Sequence, residues 1–370
     1  MIDADTKHKN GVSGFMRVKN DAEFIEASID SCVGALDELV IVYNDCSDRT
    51  PDLIEKKRLE YPEKIRAFEY KHKVYSTNLS KEDYEFVLNQ PDDSPYLLCS
   101  YYNFALSKVR YRYALKIDAD QIYFTERLKR LCDIFRNKEY MGGCFWKYFI
   151  GSCFNLYFRF YKLICFKTKR AFPILPERMV RLCYPFYVEY MRARVRKGGV
   201  CLSLSGLNVF KDKGKWYVPL GRRDKLINIL PPFNGEGDHL IFEVSSETYF
   251  RKYNMPYYNL LANTNYSLIE EFVHPYKMLC AGFAWFHLNA MRDNIYDKVV
   301  SVKRKYPSCF EEIFDFLNMR YMDVILKVDK EMFSLRQKVL FSFTYKSDCR
   351  TILENVDILR KISLNHGMND

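Results

Sequence analysis

Two aspartates separated by a single residue, Asp118 and Asp120, close the apolar run Tyr113-Ala-Leu-Lys-Ile117. An Asp-x-Asp directly after a strand sets two carboxylates on one tight turn, with the middle side chain pointing away. Hard divalent cations prefer oxygen ligands, and Mg²⁺ or Mn²⁺ commonly bridges one or two carboxylates to a diphosphate. The pair therefore suits gripping a metal beside a phosphorylated ligand. In an isolated surface turn the same tripeptide is only a solvated turn former, so the chemistry depends on what surrounds it.

Four apolar runs and the helices between them supply those surroundings. Ser13-Gly-Phe-Met-Arg-Val18 reads as a first strand, and Asn20 with Glu23 as a capping-box start for a helix that buries Phe24, Ile25, Ile29, Cys32 and Val33. Glu38-Leu-Val-Ile-Val-Tyr43 is the second strand; a polar loop then ends in Thr50-Pro51, a cap and first-turn proline for a helix running to about Tyr61. Ile65 to Glu69 is the third strand, a helix covers the region from Tyr101 to Val109, and Tyr113–Ile117 is the fourth strand. The order βαβαβαβ predicts an α/β fold, a mainly parallel sheet covered by helices whose ligands bind beyond the carboxyl ends of the strands. Those ends carry Arg17, Lys19 and Asn20 after strand one, Asn44 and Asp45 after strand two, and Asp118 and Asp120 after strand four. Neither a G-x-G-x-x-G nor a G-x-x-x-x-G-K-[ST] phrase occurs at them, which argues against a dinucleotide or P-loop site.

Three phrases in order, Phe15-Met-Arg-Val-Lys-Asn-Asp-Ala-Glu-Phe-Ile25, Glu38-Leu-Val-Ile-Val-Tyr-Asn-Asp-Cys-Ser-Asp-Arg-Thr50 and Leu115-Lys-Ile-Asp-Ala-Asp120, resemble the nucleotide-sugar half of GT-A glycosyltransferases, family 2 above all. The resemblance covers residues 12 to 125, weakens from 200 to 290 and is absent from 145 to 197 and the C-terminal tail. It departs from the usual pattern at Asn20-Asp21, where the family more often has Glu after Asn. It implies a Rossmann-like GT-A fold and a divalent metal, Mn²⁺ or Mg²⁺. The donor it implies is a nucleoside diphosphate sugar, a UDP-sugar in the first instance, and the acceptor a hydroxyl of a cell-surface glycan or lipid-linked molecule. Asp45 matches the acid that reads the base or ribose, Asp118 the acid near ribose and metal, and Asp120 the carboxylate that holds the metal. Arg17, Asn20 and Asn103 would line the same cleft.

An inverting transfer needs a carboxylate that takes a proton from the attacking hydroxyl. In the family that acid follows a small-residue strand; the matching loop here is Asn234-Gly-Glu-Gly-Asp238, with Asp238 as base and Glu236 in reserve. The Glu-Gly-Asp spacing departs from the family's contiguous Glu-Asp. His287, in the otherwise apolar run Ala281 to Leu288, is read either as a core histidine or, following the family, as the last metal ligand; His239 and His274 are weaker candidates.

Composition sets the remaining limits. The chain has 370 residues, 48% hydrophobic and 28% charged, enough to bury a core and incompatible with wholesale disorder. Its net charge of +10 and its 16% aromatic content point to an anionic or interfacial partner. Residues 145–197 hold twelve Lys and Arg against Glu177 and Glu189, interleaved with aromatics such as Trp146, Phe149 and Phe160, a pattern suited to an anionic inner-leaflet surface or to a helix pair with a solvated basic face. The twelve cysteines form no C-x-x-C pair and read as reduced cytosolic thiols; the N-terminus lacks an apolar h-region. A cytoplasmic protein, peripheral on the inner membrane, is expected, with no nucleic-acid partner. The expected organisation is a nucleotide-sugar half over 1–144, a basic aromatic helical insertion over 145–199, an acceptor half over 200–293 and a helical extension over 294–370. Two competing classes are a sugar-phosphate nucleotidyltransferase, which lacks its Gly-rich phosphate loop here, and a non-enzymatic basic membrane or nucleic-acid binder, which leaves the acids at the strand ends without a task.

Overall fold

The structure, a computed structural model, describes residues 9–77, 79–136, 144–171, 176–220, 231–254, 266–328 and 335–362. In chain order they begin with β1 (Lys9–Val18), α1 (Ile25–Val33), β2 (Glu38–Tyr43), α2 (Thr50–Glu60), β3 (Ile65–Glu69), α3 (Lys81–Leu88), α4 (Leu98–Ser107), β4 (Tyr111–Asp118), β5 (Gln121–Tyr123) and α5 (Thr125–Arg136). Then come α6 (Phe145–Thr168), α7 (Glu177–Lys197), β6 (Val200–Asn208), β7 (Phe210–Asp212), β8 (Lys215–Pro219), β9 (Phe233–Glu243), β10 (Tyr249–Asn254), β11 (Leu268–Val273) and β12 (Lys277–His287). The chain ends with α8 (Asp293–Lys305), β13 (Phe310–Glu312), α9 (Ile313–Asn318), α10 (Tyr321–Lys327), α11 (Leu335–Asn355) and α12 (Ile358–Lys361). Two compact units result. The first holds Met1–Arg136, Lys225–Asn228 and Asp238–Lys277, the second Asn137–Asp224, Ile229–Gly237 and Met278–Asp370.

In the first unit β3, β2, β1 and β4 lie side by side, all parallel. The Leu39-Val-Ile-Val42 run of β2 is buried throughout, as a strand covered on both faces must be. The outer half of β9 then pairs antiparallel with β4, from Tyr113 opposite Glu243 to Leu115 opposite Ile241. The result is a mixed, mainly parallel sheet flanked by helices with the 3-2-1-4 order of a Rossmann-like half-sheet. β10 and β11 form a separate antiparallel ribbon.

Two expected caps are replaced by longer-range bonds. Asn20 takes a left-handed φ of 53° and its Oδ1 accepts from Ser47 N at 2.8 Å, while the first turn of α1 is closed by Asp21 O, which accepts from Phe24 N and Ile25 N. Thr50 is the first residue of α2, and its Oγ1 accepts from Asp21 N at 2.9 Å. The loop itself is capped by Asp48, whose Oδ1 accepts from Thr50 N at 3.0 Å and whose Oδ2 accepts from Ala22 N at 3.1 Å. Local capping loses here because the loops after β1 and β2 face each other and offer equivalent donors across the gap.

In the second unit residues expected to be helical form α6 and α7, which pack closely where Gly151 meets Phe186; a Cβ on Gly151 would fall 2.2 Å from the Phe186 carbonyl oxygen. β6 is buried along its length and neighbours β12. Gly206 leaves room for the fully buried Trp285 indole, whose Nε1 would lie 2.0 Å from a Cβ there. The helical tail is α8 to α12, interrupted by β13, which adds to β8 at the edge of a three-stranded antiparallel sheet.

Candidate active site

Strand register brings the polar residues of the first unit to one edge. Arg17 of β1 stands opposite Asp118 of β4 on one side and Val42 of β2 on the other, so the three strands end level. Tyr101 of α4 locks them, its hydroxyl donating to Val18 O at 3.1 Å and Val42 O at 2.7 Å. Beyond the ends, Lys19 reaches Asp45 at 2.8 Å, and this hydrogen bond and charge lower the pKa of the Asp45 carboxyl. Asn44 donates to Tyr70 O and His72 O, tying the β2 loop to the chain after β3. Arg17 runs over the rings of Tyr101 and Tyr102, 5.8 and 5.0 Å from their centroids, and its Nε finds no hydrogen-bond partner. Burial opposes its charge, but Tyr102 and Glu270 more than offset this and raise its pKa.

The antiparallel run of β9 beside β4 carries Asp238 and His239 to Asp118. One donor atom from each of the three lies within 4.8 Å of the others. His239 Nε2 is 3.0 Å from Asp118 Oδ2, and His239 Nδ1 is 3.4 Å from Asp238 Oδ2. His239 is fully buried, Asp118 partly so, and Asp238 is half-exposed. Gln121 holds the imidazole from the next strand, its Nε2 2.8 Å from His239 Nε2, while its Oε1 accepts from the Tyr123 hydroxyl at 2.6 Å. These contacts fix the orientation of the ring.

Lys116, two residues before Asp118, is the cation of the cluster. Its Nζ donates to Asp238 Oδ1 at 2.6 Å and lies 3.3 Å from Glu270 Oε1 and 4.9 Å from the Tyr102 centroid. Burial works against the ammonium, but Asp238, Tyr102, Asp118 and Glu270 raise its pKa well above the ordinary value. Desolvation raises the carboxyls in turn; His239 and Lys116 more than reverse this at Asp118, and Lys116 and His239 do so at Asp238, so both end below the usual carboxylate range. At neutral pH the cluster therefore offers two anionic carboxylates beside the His239 ring. That donor set fits a divalent cation of the Mn²⁺ kind.

The other expected residues sit as follows. Asp120 is buried on the turn directly after β4. Asn103 spends its amide on Phe250, donating to its carbonyl at 2.7 Å and accepting from its N–H at 2.8 Å, which ties α4 to β10. The stretch expected as a Gly-rich loop, residues 231–239, is from Phe233 onward the strand β9, with Gly235 and Gly237 at φ of 90° and 78°. The side chain of Glu236 lies outside the described residues. His287 belongs to the second unit, where its Nδ1 is 2.5 Å from Asn208 Oδ1. His274 follows β11 and accepts on Nδ1 from Tyr276 N at 3.2 Å. Sequence reasoning passed over Lys116, Gln121 and Glu270 and ranked His239 low. A lone charge inside the apolar run of β4 was the available signal, since a buried ammonium needs acids around it.

Residues 3–144 match the model of a family described as Beta-1,4-N-acetylgalactosaminyltransferase (CgtA). No curated protein matches this chain. Among solved structures, glucosyl-3-phosphoglycerate synthase from Mycobacterium tuberculosis, in complex with Mn²⁺, UDP and glucosyl-3-phosphoglycerate, is 18% identical over 32% of this chain and 36% of its own, with a TM-score of 0.20. This chain thus spans about a third of that enzyme's length. Residues 1–349 of TarS from S. aureus are 12% identical, covering 96% of this chain and 97% of that one, with a TM-score of 0.33. The family match falls on the segment that carries Arg17, Asp45 and Asp118, and over that span the chain resembles this glycosyltransferase family.

Proposed function

We propose that this protein transfers a sugar from a nucleoside diphosphate sugar, a UDP-sugar in the first instance, to a hydroxyl of a cell-surface glycan or lipid-linked acceptor, with inversion and with Mn²⁺ or Mg²⁺ bound. The observation that carries the reading is the convergence of Asp118, Asp238 and His239 at the strand edge level with Arg17. These three would hold the cation, with Asp120 next to them on the turn. When bound there, a divalent cation supplies positive charge to a departing diphosphate. Arg17, charged at every accessible pH and with an unused Nε, is placed to add a hydrogen bond to the same anion. Asp45, on the loop beyond β2, is placed to accept from a ribose hydroxyl or base. UDP-N-acetylgalactosamine is the first donor to assay, because the matching family is described by that transfer.

Asp238 admits two roles. Its membership of the donor cluster makes it a ligand; its half-exposed side chain favours the role of base, taking the proton of the acceptor hydroxyl as that oxygen attacks the anomeric carbon. Lys116 keeps it ionised and weakens it as a base. Asp238→Asn separates the two. Calorimetry of UDP with Mn²⁺ on this variant shows binding lost if Asp238 is a ligand, and binding kept with transfer lost by at least about a hundredfold if it is the base. Full transfer activity in Asp238→Asn contradicts both.

A further inference from the structure

The first turn of α6 and the residues at intervals along it expose what a soluble helix buries. Phe145, Phe149, Leu156, Phe160 and Leu163 are each about half exposed or more. Their spacings of four, seven, four and three place them on one face of the helix, opposite the buried Gly151, Phe154, Phe158, Tyr161 and Cys165. Trp146 extends the face, 67% exposed and in ring contact with Phe145 and Phe149. Met179 and Leu182 continue apolar exposure on α7. A continuous apolar face of this size marks a docking surface.

Charge decides what docks. The sequence of α6 contains no acid, and exposed Arg159 and Lys167, followed by Lys169 and Arg170, flank its face. On α7, Arg178 and Arg181 alternate with Met179 and Leu182 and, with Arg350 of α11, line an open cavity of about 520 Å³ together with Phe314, Leu317 and Leu353. A second copy of the chain would set these cations against their own kind. An anionic bilayer meets both features at once, accepting the aromatic face into its interface and the arginines among its phosphates. No helix among the described residues is long and apolar enough to cross a membrane, so α6, about 36 Å long at 1.5 Å per residue, would lie in the plane of the surface.

We infer that the α6–α7 face is a monotopic docking surface for anionic bilayers, with Arg178, Arg181 and Arg350 holding lipid phosphate. The inference stands apart from the sugar-transfer reading, since vesicle binding is measured without donor or acceptor. Of the three tryptophans only Trp146 is exposed, Trp216 and Trp285 being 8% and 0% accessible, so its emission reports the event. The whole protein is mixed with vesicles of phosphatidylcholine alone and of phosphatidylcholine with phosphatidylglycerol. Partition at least about tenfold stronger into the anionic vesicles, falling with salt, is expected. A blue shift of tryptophan emission and its quenching by brominated lipid should accompany it. Trp146→Phe should keep the partition and lose the shift. Phe149→Ser/Phe160→Ser/Leu163→Ser, all on the surface, should weaken partition by at least about tenfold, and Arg178→Ala/Arg181→Ala should remove the anionic preference. Equal partition into both vesicle types, unchanged binding of the triple serine variant, or a lipid-free dimer whose Trp146 emission is already blue-shifted overturns the inference.

Discussion

Lys116 illustrates how one side chain can set the chemistry of others. It is buried between Asp238 and Glu270, and its ammonium keeps Asp238 ionised. Replacing it with methionine would leave those two acids without their cation, and denaturant unfolding of Lys116→Met should show a loss of about 2–4 kcal/mol; an unchanged midpoint would remove the ion pair from the account. Asp48, three residues beyond Asp45 on the same loop, supplies a pH test. Desolvation raises its pKa, but hydrogen bonds from Thr50 and Ala22 more than reverse this, so its folded pKa lies below the unfolded value. Stability from a depressed carboxyl is present above the unfolded value, near pH 4, and is lost as pH falls through the folded value. Asp48→Asn should therefore cost about 0.5–1 kcal/mol at neutral pH, the low end for a solvent-facing cap, and the gap to the wild type should close in thermal melts below about pH 4. A gap that widens on acidification contradicts the assignment.

Two glycines carry the element-scale predictions, both in the second unit. Gly151 lets α6 approach the backbone of α7, and Gly206 makes room in β6 for the Trp285 indole. Neither obstacle is the loose end of a flexible side chain, so Gly151→Ala and Gly206→Ala should each lose about 1–3 kcal/mol in denaturant melts. Gly14 is the contrast. The three atoms nearest a Cβ there are terminal methyls of Ile117, Leu36 and Leu39, which can rotate away, and Gly14→Ala should cost less than either. The elements were unequally legible for related reasons. β1, β2 and β4 are largely apolar runs followed by acids or amides, and such runs read as buried parallel strands. β9 is broken by Gly235 and Gly237 at left-handed φ, so its period of two is interrupted and its residues look like a loop. The cap at Asn20 was misread because the Ser47 N–H that occupies it comes from another loop, which a local pattern does not contain.

For the molecule as a whole, the acids at the strand ends could be found from the sequence because charge directly after an apolar run is conspicuous. Their partners could not. Lys116 and Asp238 are 122 residues apart, and only the antiparallel register of β4 with β9 brings them together. The same register brings His239 to Asp118 and leaves His287 in the other unit. The basic excess of residues 145–197 was visible in composition, but its division into an exposed aromatic face and a buried one required the helix phase. The central claim is that Asp118, Asp238 and His239 hold a cation beside a nucleoside diphosphate. Titration calorimetry of UDP into the wild type and Asp118→Asn, each in Mn²⁺ and in EDTA, tests it most directly. Binding by the wild type in Mn²⁺, abolished by EDTA and by Asp118→Asn while the variant stays folded, is the predicted result; UDP binding of equal strength in EDTA, or in Asp118→Asn, contradicts it.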